Sequence, residues 1–76
     1  MYTILHYDRT KQQATTLEQA FQAAKTYLKR WMEPGDHFHT GESVNAAGRR
    51  YHFVQVLDEV SEPTDVIAYI LTPDEG

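Results

Sequence analysis

The 76-residue sequence has no cysteine. Disulfides, thiolate zinc sites and cysteine nucleophiles are therefore excluded, and a small chain goes without its commonest covalent staple. No apolar run approaches the ~18 residues that a membrane-crossing helix needs. The opening residues, Met1-Tyr2-Thr3-Ile4-Leu5-His6-Tyr7-Asp8, lack the basic segment and long apolar stretch of a secretory signal. The expectation is a soluble, cytoplasmic protein with no membrane partner. Glycine is scarce, and Gly35, Gly41, Gly48 and Gly76 stand alone, so there is no phosphate-cradling loop. Lysine and arginine are missing from residues 51–76, which hold six acids, whereas residues 1–50 hold all seven bases against five acids. This polarity fits an unevenly charged solvated surface, or an association surface that complements itself.

What is present suffices for one folded domain. The apolar fraction of 41% is that of a chain with a core rather than a disordered one. A single domain over residues 1–72 is expected, with 73–76 as a flexible polar tail. The clearest element is a helix. Leu17, Ala20, Phe21, Ala24, Tyr27, Leu28 and Trp31 recur at helical spacing, opposite Glu18, Gln19, Gln22, Lys25, Thr26, Lys29 and Arg30. Thr15-Thr16-Leu17-Glu18 reads as a capping box with Thr15 as the cap, and Pro34-Gly35 as the stop. Ordering each helical residue costs roughly 1–2 kcal/mol. Burying each large apolar side chain returns roughly 1.5–3 kcal/mol, so the helix needs a surface to pack on.

The remaining segments supply it as strands: Tyr2 to Asp8, Asp36 to Val44, Arg50 to Leu57 and Val66 to Leu71. Residues 9–14 read as a polar loop that could instead extend a short hairpin with the first strand. The expected fold is α+β, in the order β-α-β-β-β, with one helix on one face of a mostly antiparallel four-stranded sheet. Val66 to Leu71 is apolar at every position, which implies cover on both faces and an interior place in the sheet. The strand order second-third-fourth-first provides that place.

Three constellations could carry function. The first is aromatic. Tyr51 and Phe53 share one face of their strand, and Tyr69 shares a face with Ile67 and Leu71. One helix covers one face of a sheet, so the other is left as an apolar patch of the kind that marks an interface. Tyr7, Tyr51, Phe53 and Tyr69 are the expected contact residues.

The second is His37-Phe38-His39, two imidazoles on one strand face, with His52 on the next strand. A connecting loop of two or four residues would place His52 with them as an open three-histidine metal site; a loop of three or five would place it on the opposite face. The run Gly35 to Glu42 is similar over eight residues to the His-x-His…Glu cluster of the cupin metal site. The spacing to Glu42 is too short for that pattern, no second motif accompanies it, and the chain is too short for that barrel. Membership of that family does not follow.

The third is basic: Lys25, Lys29 and Arg30 on the helix, and Arg49-Arg50 beside a turn, could meet nucleic-acid phosphates. A pI of 5.4 speaks against it. No nucleophile-base-orienter pattern is visible, and no cofactor or enzymatic activity is implied. The sequence reading therefore favours a small protein-interaction or regulatory binding module that docks another protein, or a second copy of itself, on the free sheet face.

Overall fold

The computed structural model describes residues 1–73, so all but the first residue of the expected 73–76 tail lies outside the described residues. The elements are β1 (Tyr2–His6), β2 (Lys11–Ala14), α1 (Leu17–Leu28), β3 (His37–Val44), β4 (Arg50–Leu57) and β5 (Pro63–Leu71). The strands form one sheet in the order β2-β1-β5-β4-β3, with every neighbouring pair antiparallel. The α+β class and the interior place of the Val66–Leu71 segment are as the sequence implies. The sheet has five strands rather than four, because Lys11–Ala14 pairs with β1 in the register Tyr2↔Ala14 to Leu5↔Lys11.

That extra hairpin is made by its turn. The His6 N–H donates to the Thr10 carbonyl and the Arg9 N–H to the His6 carbonyl, both at 2.9 Å, and Arg9 takes a left-handed φ of 72°. The other two hairpins repeat the device. Asn45 N–H donates to Arg49 and Gly48 N–H to Asn45, with Gly48 at φ 79°; Asp58 N–H donates to Glu62 and Ser61 N–H to Asp58, with Ser61 at φ 63°. This is a type I turn closed by a left-handed residue, the usual three-residue hairpin loop. The Asn45 and Asp58 side chains each accept two further backbone N–H groups, which is why these residue types suit the turn.

α1 starts one residue later than the capping-box reading implies. Thr16, not Thr15, is the cap, and its hydroxyl accepts the Gln19 N–H at 3.1 Å. The α-helix ends at Leu28 and tightens into a 3-10 turn over Lys29–Trp31. Pro34 and Gly35 do not end the helix itself. They occupy the centre of a following turn in which Asp36 N–H donates to the Glu33 carbonyl, with Gly35 at φ 94°, as a type II turn requires.

The helix lies over β2, β1 and β5 and reaches the near side of β4, with little contact to β3. A helix about 10 Å across spans about two strands at ~4.8 Å spacing, so one helix cannot cover five. Ala20, Ala24 and Leu28 are sealed against Ile4, Val54, Val56, Ala68 and Ile70, and the two alanines let the helix approach closely. No helix among the described residues is long and apolar enough to cross a membrane.

Candidate interaction surface

Pairing in the sheet decides which side chains share the face away from the helix. Residues paired across antiparallel strands point the same way. The row Leu5–Tyr69–Phe53–Gly41 therefore crosses four strands on one face, and the row Thr3–Leu71–Tyr51–Ser43 lies beside it. Ile67 with Gln55 and His39, and Leu57 with His37, complete the face toward the other strand ends. The members touch. Tyr51 meets Tyr69 edge-on at 5.7 Å, and His39 lies 5.8 Å from Phe53. Gly41 makes room for the Phe53 ring: a Cβ there would lie 2.6 Å from Phe53 Cζ. The aromatic ring thus covers a glycine in the neighbouring strand.

No described element packs over this face. Its aromatic and aliphatic residues are half-buried by one another, and Leu71 is 39% exposed. Toward the β3–β4 turn the face dips into a shallow hollow of about 260 Å³, with Met1, Tyr51 and Leu71 among its apolar walls and Arg49 and Arg50 among its polar ones. That is smaller than the ~300–1,000 Å³ typical of small-molecule sites. It suits one anchoring side chain of a partner.

Of the four expected contact residues, the fold gathers Tyr51, Phe53 and Tyr69 and separates Tyr7. Tyr7 lies beyond the end of β1, edge-on to Trp31 at 5.2 Å, beside the helix. Partial desolvation raises its phenol pKa, helped by the nearby Asp8 carboxylate and the Tyr27 phenol. Leu5 and Ile67 stand in its place on the face. Their alternation with Ile4 and Ala68 is the signal in the sequence that assigns them there.

The three histidines do not share a face. Five residues, Asn45 to Arg49, connect β3 and β4, so His52 pairs with Glu42 on the helix side while His37 and His39 point away. This is the odd-length outcome, and it separates the three-histidine metal site. His52 Nδ1 sits 3.8 Å from Glu42 Oε2 and its ring meets Phe21 edge-on; His37 Nε2 lies 3.3 Å from the Ser61 hydroxyl. Among the described residues no group of three His, Cys, Asp or Glu is placed to hold a metal ion. The basic residues are divided as well. Arg30 stacks over Tyr27 and Trp31 at the helix end near Tyr7, with Lys29 beside it. Arg49 and Arg50 lie at the opposite ends of the strands, where Arg50 approaches Glu42 at 3.8 Å. Lys25 borders a groove between α1 and Thr40 of β3.

A polar corner that the sequence reading missed ties the helix to the β1–β2 hairpin. His6 is 2% exposed, stacks on Tyr27 at 3.8 Å, and bonds through Nε2 to Gln12 Oε1 at 2.7 Å. An amide oxygen accepts, so Nε2 donates, and the buried Nδ1 meets no hydrogen-bond partner among the described residues. The Tyr27 hydroxyl donates to Asp8 Oδ2 at 2.5 Å and lies 3.0 Å from Thr10 Oγ1. That bond, followed by the Thr10 backbone N–H, lowers the Asp8 pKa. The shared parity of Ile4 and His6 is the one sequence signal that His6 faces the core.

Comparison of the chain with protein-family models, with characterised proteins and with solved structures gave no match, and the functional reading rests on the geometry of this surface.

Proposed function

We propose that this chain is a small protein-interaction module, and that it docks a partner protein on the face of the sheet turned away from the helix. The observation that carries the reading is the contiguous set Leu5, Tyr69, Phe53, Tyr51, Leu71 and Ile67, aromatic-rich, bordered by Lys11 of β2, and covered by no described element. Contiguous exposed apolar surface of this kind marks association sites, and tyrosine and phenylalanine supply large contact area with few rotors to freeze. The partner chemistry that fits is an apolar protein surface with one protruding side chain to enter the hollow beside Tyr51 and Leu71. A regulatory role follows if occupancy of this face is what the partner senses.

Site-specific photo-crosslinking in cells tests this. A photoreactive residue at position 69 should give one discrete protein adduct, lost when Phe53→Lys is added. The same probe at position 19, on the solvent side of α1, should give none. Equal labelling from both positions, or no adduct from position 69, would overturn the reading.

A further inference from the structure

The two edges of the sheet are built differently. β2 is four residues long and carries Lys11, the usual features of an edge that resists pairing. β3 is eight residues long, its only neighbour among the described residues is β4, and it contains no proline, lysine or arginine. Thr40, Glu42 and Val44 are exposed, Val44 to 56%. Hydrogen-bond direction along β3 follows from its end. Asn45 N–H points at β4, where it meets the Arg49 carbonyl. Alternation then turns the N–H and C=O of Phe38, Thr40, Glu42 and Val44 outward, a ladder of donors and acceptors with no described strand beside it.

The residues on this ladder specify what can complete it. If a second β3 joins antiparallel so that the two sheets become continuous, a twofold axis runs through the sheet and opposed residues must share a face. Few registers remain. Centring on Glu42 sets Glu42 against its own twin. Centring on Thr40 sets Phe38 against Glu42 of the second copy. Centring on His39 sets Asp36 against Glu42. Like charges, or a charge against an aromatic ring, oppose each of these. Centring on Gly41 sets Phe38 against Val44 and Thr40 against Glu42, and it lets all four outward-facing residues of each strand exchange both of their hydrogen bonds. In that register apolar meets apolar, and a hydroxyl meets a carboxylate.

We infer that β3 is a self-pairing edge: two copies of this chain join through β3, centred on Gly41, to form one ten-stranded antiparallel sheet. The inference stands apart from the outer-face reading, because it uses the edge rather than the face. The pairing would set two outer faces side by side on the same side of one sheet.

Sedimentation equilibrium on the intact chain tests it with four proteins. Wild type should dimerise. Thr40→Glu places a carboxylate opposite Glu42 of the other copy, twice per dimer, and should weaken association by roughly three- to thirtyfold. Thr40→Lys should strengthen it by a similar factor. Within one copy Thr40 shares a groove with both Glu18 and Lys25, which carry opposite charges. The groove charges therefore set no one-signed trend, and the urea midpoint of each variant, read beside its sedimentation, separates damage to folding from a change in association. Tyr69→Lys changes the outer face and not the edge, and should leave the dimer intact. Wild type that is wholly monomeric at about 1 mM, where even a millimolar dimer is half formed, would overturn the inference. So would a dimer indifferent to both Thr40 substitutions, or one dissolved by Tyr69→Lys.

Discussion

β2, β1, β5 and the helix side of β4 lie beneath α1, whereas β3 and the outer face of the sheet do not. The covered part is held by fully buried small and branched side chains: Ile4, Val54, Val56, Ala68 and Ile70 against Ala20, Ala24 and Leu28. The uncovered part replaces that burial with contacts along the sheet. Phe53 lies over Gly41, Tyr51 leans on Tyr69, and Asn45 and Asp58 close the two turns with their side chains. The difference teaches how the chain divides its work. Stability comes from the region where the helix excludes water. The region beyond it keeps an aromatic face and a bare strand edge available to other molecules.

The largest effect expected on this contrast comes from the covered side. Leu28→Ala removes a fully buried side chain at the helix–sheet seam and should cost about 2–5 kcal/mol. A chain of this length has only about 4–11 kcal/mol in total. Urea unfolding should show a large fall in midpoint, and a loss under about 1 kcal/mol would mean that the seam is not where stability resides.

A smaller and more local effect is expected on the uncovered side. Gly41→Ala puts a methyl group where the Phe53 ring lies, and the ring must swing away at about 1–3 kcal/mol. Amide exchange should quicken in β3 and β4 and stay unchanged in β1 and β2. Equal quickening throughout would erase the distinction between the two regions.

The smallest effect is a pH dependence at the corner joining the hairpin to the helix. Tyr27 and Thr10 hold the Asp8 pKa below its unfolded value. The carboxylate therefore stabilises the fold above the unfolded aspartate pKa, and this contribution is lost as pH falls through the folded one. Asp8→Asn should melt below wild type at neutral pH, and the gap should close by about pH 2. A gap that stays constant with pH would assign the difference to packing rather than to the carboxylate.

Much of this architecture is legible in the sequence because its signals are periodic. The helix stripe, the interior strand Val66 to Leu71 and the grouping of Tyr51 with Phe53 all follow from side-chain spacing. What escaped was set by turns. Lys11-Gln12-Gln13-Ala14 is too polar for its pattern to decide between a loop and the second strand of a hairpin, and it becomes a strand because Asp8-Arg9-Thr10 reverses the chain onto β1. Tyr7 has the parity of the outer face, yet the same reversal carries it out of the strand and against Trp31. The position of His52 turned on the length of one loop, which spacing alone left open. His6 is polar by type and buried by parity, and only the Tyr27 stack and Gln12 explain how the core accommodates it.

Three of the four strand pairings are hairpins, each set by its own copy of the same short turn. The fourth, β1 with β5, brings Thr3 beside Leu71 and His6 beside Ala68. Among the described residues it is the only strand pairing between the N-terminal hairpin and the three-stranded C-terminal meander, and it spans most of the chain. Local pairings form quickly and distant ones slowly, so folding is expected to wait on this single closure. Until it is made, the chain carries two extra open edges, and the apolar strand Val66 to Leu71 is one of them. The speed with which β1 arrives then governs how long the nascent protein is exposed to aggregation.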